Sequence, residues 1–150
     1  MSISIYIAAP FSLQLVGRQV RDAFARHGIV STARWLEEEP SLEKTISHAQ
    51  RCFLGHMDLF DVRRAQGLVL LNPEEYREKG TGGRHVEVGA ALAVGNPVWI
   101  LGVRSNIFHW GEGVLDVWEG PSLDHVGECA RAIKDSLWDY EQKPKFEVTS

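Results

Sequence analysis

Short apolar segments alternate along the chain with longer segments of helical periodicity, and this alternation limits the fold more than any other feature. The apolar segments predict β-strands at 3–8, 29–33, 67–71, 98–101 and 114–118. The segments between them predict helices at 13–27, from Ser41 to about Ala65, from Gly83 or Arg84 to about Gly95, and at 123–140. Strictly alternating strands and helices favour a parallel sheet with helices on both faces.

Right-handed crossovers leave few ways to order such a sheet. The simplest is a flavodoxin-like (Rossmann-type) α/β fold, in which a doubly wound parallel sheet of about five strands has the order 2-1-3-4-5. A length of 150 residues corresponds to one domain, 1–150, and the segment 142–150 is expected to be a loose tail. In the long helix, Ser41 is the expected N-cap, although Lys44 stands where a capping box would have Glu.

Composition restricts the class of partner. The chain is 44% hydrophobic and 24% charged with a net charge of -4, which is typical of a soluble globular protein and argues against nucleic acid as a partner. No run of about 18 apolar residues predicts a membrane span, and the segment before Pro10 lacks the features of a signal peptide. Cys52 and Cys129 lack the spacing of metal ligands, so we expect a cytoplasmic protein with no metal and no cofactor.

The expected strand order also predicts where a ligand binds. In open α/β sheets, ligands bind outside the carboxyl ends of the strands at the point where the strand order reverses, here between strands 1 and 3. That rule brings together Ala9 to Ser12, Trp35, Asn72 and the segment 80–87, and Tyr6 lies late enough in the first strand to reach them. The sequence therefore predicts one binding site at this edge.

The segment GTGGRHVEVG, residues 80–89, combines a glycine-rich turn with the start of a helix. A helix N-terminus directs free N–H groups and a positive dipole toward a bound anion. Glu87, one turn inside, is expected to be stabilised there as the anion, the form that a nucleophile needs. The alternative is an ordinary acidic residue in the first turn of a helix.

Two aspartates on the preceding helix have open interpretations. Asp58 borders the apolar residues Met57 and Phe60, so it is either solvated at the helix edge or turned into a pocket. Asp61 is expected at a solvated edge, where Arg64 can offset its charge. If Asp58 faces Glu87, the two carboxyl groups suit glycosidic chemistry, in which one attacks the anomeric carbon and the other handles the proton of the leaving group.

Other polar and aromatic residues near the predicted site carry two interpretations each. Arg84 either pairs with a phosphate through its planar fork or is a surface arginine. Trp35 either stacks on a base or lies at the edge of the core. His85 and His109 are acid–base candidates, with surface or hydrogen-bonded structural roles as the alternative.

Three motifs together resemble the nucleoside 2-deoxyribosyltransferase family, closest in type to its (deoxy)nucleoside 5'-monophosphate N-hydrolases. They are IYIAAPF at 5–11, HMDLFDVRRAQGLVLL at 56–71 and HVEVGAALAVGNPV at 85–98, and the resemblance spans roughly 3–109. It implies that Glu87 is the nucleophile, that Asp58 is the catalytic aspartate and that Tyr6 holds and orients Glu87. Gln66, where the family commonly has an aspartate, departs from the pattern.

The same resemblance implies the substrate contacts. The transferases of the family carry a second aspartate six residues before the nucleophile, where this chain has Thr81; the monophosphate hydrolases carry a hydroxyl residue there that contacts the phosphate. The implied substrate-binding residues are Ala9, Pro10, Phe11, Ser12, Trp35, Thr81, Gly82, Gly83 and Arg84.

The hydrolases of this family also borrow residues from a neighbouring subunit. In this chain those residues correspond to Ser105, Asn106 and His109 of the segment SNIFHW. The segment also groups Ile107, Phe108 and Trp110, and exposed apolar clusters usually mark interfaces. A homodimer or a higher homo-oligomer is therefore expected.

The function that the resemblance implies is hydrolysis of the N-glycosidic bond of a (deoxy)nucleoside 5'-monophosphate, through a glycosyl-enzyme on Glu87, to free base and sugar 5-phosphate. One alternative is a nucleoside 2-deoxyribosyltransferase, in which a second base resolves the same intermediate. The other is a non-catalytic nucleotide-binding module, since a fold does not by itself determine a function.

Overall fold

The computed structural model describes residues 2–39, 47–77, 79 and 82–142, with side chains as far as residue 137. Its centre is a five-stranded parallel sheet of order β2-β1-β3-β4-β5, which confirms the predicted fold class and strand order. The strands are β1 (Ile3–Ala8), β2 (Ile29–Ser31), β3 (Gly67–Asn72), β4 (Val98–Gly102) and β5 (Val114–Trp118), and the helices are α1 (Gln14–Ala25), α2 (His48–Arg64), α3 (Gly83–Ala93) and α4 (Val126–Gln142).

Several predicted boundaries differ from the structure at places where a 3₁₀ helix replaces the expected element. Such turns cover Phe11–Leu13 before α1 and Ser122–His125 before α4, so α1 and α4 begin later than expected. The strand β2 is two residues shorter than expected, because residues 32–33 are irregular and a 3₁₀ helix, Arg34–Glu37, follows them. Of the predicted tail, Gln142 ends α4, and 143–150 lie outside the described residues.

The N-terminus of α2 corrects the prediction that Ser41 is its N-cap. The cap is Ser47, whose hydroxyl accepts a hydrogen bond from the Gln50 backbone N–H at 3.2 Å, while the Gln50 side chain accepts one from the Ser47 N–H at 2.8 Å. This reciprocal pair is a capping box, which requires a side-chain acceptor three residues after the N-cap. Gln50 is such an acceptor for Ser47, whereas Lys44, three residues after Ser41, has none. Ser41 itself lies outside the described residues.

The central strands β1, β3 and β4 form the core of the sheet. Every residue of β3 and β4 is buried, as expected for strands that carry helices on both faces. Gly67 makes room for the largest buried side chain, because a Cβ there would lie 2.7 Å from Cζ3 of Trp99. Across the described part of the chain, no helix is both long and apolar enough to cross a membrane.

The ends of β3 and β4 approach each other closely at the edge where the ligand site is predicted. Gly102 has a φ of 137°, and a Cβ at this position would lie 2.0 Å from the Asn72 carbonyl oxygen. That carbonyl accepts a hydrogen bond from the Val103 N–H at 2.9 Å. Only glycine permits this approach, so the backbone of the edge is tightly constrained.

Candidate active site

Tyr6 and Glu87 form a hydrogen-bonded pair at the centre of the predicted site. Tyr6 is the fourth residue of β1 and is fully buried, and its hydroxyl donates to Oε2 of Glu87 on α3. Burial, together with the neighbouring Glu87, raises the pKa of the Tyr6 phenol, so it keeps its proton and remains a donor. The contact between a strand and a helix far apart in sequence holds the Glu87 carboxyl group in one orientation.

The ionisation of Glu87 differs from the expectation. Burial raises the pKa of Glu87 to about 8; the Tyr6 hydrogen bond lowers it, while Asp58 and Glu38 raise it further. Glu87 is the fifth residue of α3 and lies past its first turn, where the helix dipole has weakened. The loss of hydration therefore outweighs the helix dipole, and the expectation that Glu87 is stabilised as the anion is wrong.

Asp58, on α2, lies close enough to Tyr6 and Glu87 for its charge to raise the pKa of each. Its Oδ1 atom is shielded from solvent and has no hydrogen-bond partner among the described residues. Burial raises the pKa of Asp58 to about 7, with further increases from Glu38 and Asp61 and a decrease from Arg34. Of the two interpretations of Asp58, the solvated edge is therefore wrong, and the side chain is turned inward.

Asp61, three residues along the same helix, corrects the prediction of a solvated edge. It is fully buried and accepts hydrogen bonds from Arg34 Nη2 at 2.8 Å and from Arg64 Nε at 3.1 Å. Burial alone would raise the pKa of Asp61, but the hydrogen bonds from Arg34 and Arg64 hold it below its usual value. Asp61 is thus a permanent anion that joins α2 to the segment after β2, and Asp58 is the aspartate free to exchange a proton.

The loop after β1 contains four of the predicted substrate-binding residues. Ala9 and Pro10 are buried, Phe11 is half-buried and Ser12 is exposed. Trp35 lies behind Phe11, with ring centroids 6.0 Å apart, and its indole N–H donates to the Ile7 carbonyl at 2.8 Å. Because Trp35 is 5% exposed, it has the core-edge role, and Phe11 is the more accessible ring.

The Arg84 side chain is not at the surface, and its guanidinium group is hydrogen-bonded within the chain. It is 4% exposed, and it donates to Asn72 Oδ1 at 3.2 Å, to the Lys79 carbonyl at 3.0 Å and to the Tyr76 carbonyl at 2.8 Å. These bonds tie the end of β3 and the segment after it to the start of α3. Three of the five guanidinium N–H donors therefore have acceptors within the chain, and a contact between Arg84 and a phosphate stays a prediction.

The glycine turn before α3 is only partly described. Gly82 has a left-handed φ of 83°, which glycine adopts without strain, and Gly83 begins the helix at an exposed position. Gly80 and the predicted phosphate contact Thr81 lie outside the described residues.

The segment SNIFHW packs its polar residues against the start of α3 in the same chain. His109 is fully buried, and its Nδ1 accepts a hydrogen bond from the Ser105 N–H at 2.9 Å. Asn106 Nδ2 lies 3.3 Å from Nδ1 of His85, and the rings of His85 and His109 are 5.5 Å apart. Burial lowers the pKa of His109 to about 4, with a smaller contribution from His85, so His109 is neutral at physiological pH.

The apolar residues of the same segment point to solvent. Ile107, Phe108 and Trp110 are 79%, 64% and 73% exposed, and the Arg104 guanidinium lies 4.6 Å from the centroid of the Trp110 ring. The structure thus separates SNIFHW into a buried polar side and an exposed apolar side.

Sequence reasoning missed two residues near the paired carboxyl groups. Glu38 stands in the acidic run Glu37–Glu39 and Arg34 follows a short strand, and neither position carries a sequence signal for the site. Both act on the pKa of Asp58, from a segment that reaches it only through the fold.

The sheet order and the flanking helices define a flavodoxin-like (Rossmann-type) α/β fold. The chain is similar in structure to the CMP N-glycosidase BcmB of Clostridium botulinum, with a TM-score of 0.55, over 84% of this chain and 97% of that one. The two sequences are 13% identical, so the likeness shows a shared fold. No protein-family model matches the chain, and no curated protein matches it in sequence.

Proposed function

We propose that the protein is an N-glycosidase that hydrolyses a nucleoside or deoxynucleoside 5'-monophosphate to free base and sugar 5-phosphate. The observation that carries the proposal is the Tyr6–Glu87 hydrogen bond beside the inward-facing carboxyl group of Asp58. A fold shared with a protein described as a CMP N-glycosidase supports the same class of reaction. Two carboxyl groups at one site are what retaining glycosidic chemistry requires.

In the first step, a Glu87 carboxylate oxygen attacks C1' of the sugar. The bond between C1' and the base nitrogen breaks, and its electron pair leaves with the base, which takes the proton of Asp58. The product is a glycosyl ester on Glu87. A pKa of about 7 lets Asp58 hold that proton near neutral pH.

In the second step, water attacks C1' of the ester while the Asp58 carboxylate accepts the water proton. The bond between C1' and the Glu87 oxygen breaks, which releases the sugar 5-phosphate and restores both carboxyl groups to their starting forms. Tyr6 keeps the nucleophile in line with C1' throughout, because its hydroxyl remains a donor.

For the phosphate we propose the turn at the start of α3. The backbone N–H groups after Gly82 lie at a helix N-terminus, and exposed Ser12 lies on the loop after β1. In this proposal Thr81 contributes its hydroxyl, and Arg84 supports the turn from behind. An anion bound there anchors the substrate away from the reacting bond and positions C1' over Glu87.

A panel of nucleosides and their 5'-monophosphates tests this function. We expect base release from a monophosphate with a kcat/KM at least about tenfold above that of its nucleoside, since one charge-assisted hydrogen bond contributes ~1.5–3 kcal/mol. Chromatography follows free base and sugar phosphate. Ser12→Ala should reduce the preference, whereas Ser2→Ala, at another exposed serine, should not.

Two results of the same panel would contradict the proposal. Equal kcat/KM for nucleoside and monophosphate would show that the enzyme does not recognise the phosphate. Turnover that depends on a second, added base would identify base exchange in place of hydrolysis.

We further propose a homodimer or larger symmetric assembly in which Ser105 and Asn106 of one subunit approach the site of its neighbour, while His109, which is buried in its own subunit, supports the segment from within. The exposed side chains of Ile107, Phe108 and Trp110 are the basis for this proposal. Light scattering at micromolar concentration should report a dimer or larger. Phe108→Ser should weaken it, whereas Leu15→Ser, at a 67% exposed apolar residue of α1, should not. A fully active wild-type monomer would refute the proposal.

A further inference from the structure

A buried amide at the end of β3 joins two segments at the edge where the candidate site lies. Asn72 is the last residue of β3 and is fully buried, whereas the rest of the strand is glycine or apolar. An amide is disfavoured in a buried strand because its polar atoms lose their hydration. It is stable there only when those atoms have hydrogen-bond partners, so the partners of Asn72 show what the residue joins.

The side chain of Asn72 bonds to both neighbouring segments at once. Its Oδ1 atom accepts a hydrogen bond from Nε of Arg84, at the start of α3, at 3.2 Å. Its Nδ2 atom donates to the Val103 carbonyl at 2.7 Å and to Oγ of Ser105 at 3.1 Å, both after β4. A guanidinium group only donates and a carbonyl only accepts, so these partners fix which way the amide is turned.

Arg84 carries this connection into the turn at the start of α3. Its two terminal nitrogens donate to the Tyr76 and Lys79 carbonyls at 2.8 and 3.0 Å. Arg84 is the second residue of α3 and follows Gly83 directly. Because the Arg84 side chain is buried in a close-packed environment, its place fixes the place of the backbone N–H groups in the first helical turn.

The same amide orients the hydroxyl group of Ser105. Oγ of Ser105 accepts the Asn72 hydrogen bond, so the hydroxyl proton is directed at some other acceptor. The Ser105 N–H donates to Nδ1 of His109 at 2.9 Å, which holds the backbone of Ser105 as well. Ser105 is therefore held as a hydrogen-bond donor, which suits an ionised phosphate oxygen because that oxygen only accepts.

We propose that Asn72 is a positioning residue for the substrate phosphate, because its amide sets both the turn at the start of α3 and the direction of the Ser105 hydroxyl. This rests on the proposed function, in which that turn holds the 5'-phosphate. Asn72 acts through Arg84 and Ser105 and needs no contact with the substrate. Since other elements carry the reacting groups, loss of the amide weakens the anchoring of the phosphate more than the chemistry at Glu87.

The test compares kcat/KM for a monophosphate and for its nucleoside in the intact protein. Asn72→Ser should lower the value for the monophosphate about tenfold more than the value for the nucleoside, chiefly through KM, because the hydrogen bonds to the phosphate weaken. Asn72→Asp keeps the shape and the acceptor for Arg84 but removes both donors. It should lower the preference for the monophosphate in the same direction and serves if Asn72→Ser does not fold.

Asn96→Ser is the matched control. Nδ2 of Asn96 also donates to a carbonyl, that of Ala65 at 2.9 Å, but at the amino ends of β3 and β4, away from the site. This variant should leave the preference for the monophosphate unchanged. An equal proportional loss for nucleoside and monophosphate in the Asn72 variants would make Asn72 purely structural and overturn the proposal.

Hydrogen–deuterium exchange followed by mass spectrometry needs no activity and so separates this inference from the proposed function. Without substrate, Asn72→Ser should raise the exchange rates of the backbone N–H groups in 85–88 and in 105–109 by about tenfold, and Asn96→Ser should leave them unchanged. Faster exchange in a protein that releases no base would support the action of Asn72 while refuting the function. Exchange at the wild-type rate in 85–88 would overturn the action of Asn72 whatever the function.

Discussion

Glu87→Gln should abolish base release at every pH, with a loss in kcat of about 10⁴-fold or more. The amide is nearly isosteric and its oxygen still accepts the Tyr6 hydrogen bond, but it cannot attack C1' to form an ester. Substrate binding should stay within roughly tenfold, or ~1.4 kcal/mol, because the charge of Glu87 is directed at the reacting carbon. Single-turnover release of base, followed by chromatography, and calorimetric binding of a nucleotide give the two readouts.

The covalent intermediate provides the more direct check on Glu87. Rapid denaturation during turnover, followed by peptide mass spectrometry, should show a sugar phosphate on the peptide that contains Glu87 in wild type and none in Glu87→Gln. Glu128→Gln, an exposed glutamate on α4, is the matched control and should retain both adduct and activity. A sugar trapped on any other residue, or turnover at the wild-type rate in Glu87→Gln, would refute its assignment as nucleophile.

Asp58→Asn should reduce turnover by about 10²–10⁴-fold, the range for a lost general acid or base. The loss should depend on the leaving group. A sugar phosphate that carries a good leaving group, such as a nitrophenolate, needs no proton on departure, so formation of its glycosyl ester should be nearly unaffected. A rate near that of wild type on natural nucleotides would show that Asp58 takes no part in proton transfer.

Asp61→Asn is the matched control for Asp58→Asn on the same helix. Asp61 is buried and paired with Arg34 and Arg64, so its neutralisation leaves two arginines without their carboxylate. The two arginine side chains are 50% and 45% exposed and keep part of their hydration, so the loss of hydrogen bonds to a charged group costs about 1.5–3 kcal/mol. The expected result is a lower melting temperature with no dependence on the leaving group, which distinguishes a structural aspartate from a catalytic one.

The strand order could be predicted because it depends on local signals, whereas the Tyr6–Glu87 pairing was implied by the family resemblance. Apolar segments separated by helical periodicity specify a parallel sheet, and the reversal of strand order then places the end of β1 beside the start of α3. The start of α2 had a usable signal as well. Ser47 is followed three residues later by Gln50, a better capping box than Ser41 with Lys44.

The roles of Arg84 and Asp61 could not be predicted, since their partners come from irregular or distant segments. Arg84 donates to carbonyl groups of Tyr76 and Lys79, and nothing in the residue types there indicates a turn that faces inward. Asp61 accepts a hydrogen bond from Arg34, which lies after β2 and 27 residues earlier in the chain. In both cases tertiary packing decides which charged side chains are buried, and periodicity carries no information on that choice.

Because the pKa values of Glu87 and Asp58 are raised in the folded chain, the stability of the protein depends on pH. The pKa values of Glu87 and Asp58 in the folded chain are about 8 and about 7, above their ordinary values of 4.5 and 3.8. Their contribution to the free energy of unfolding is therefore fully present at a pH below their pKa values in the unfolded chain. It is lost as the pH rises through their pKa values in the folded chain. Folding takes up protons at the site over this interval. These two groups therefore make the native state progressively less stable between about pH 4 and about pH 8, and the pH at which the site is ready to react lies on that slope.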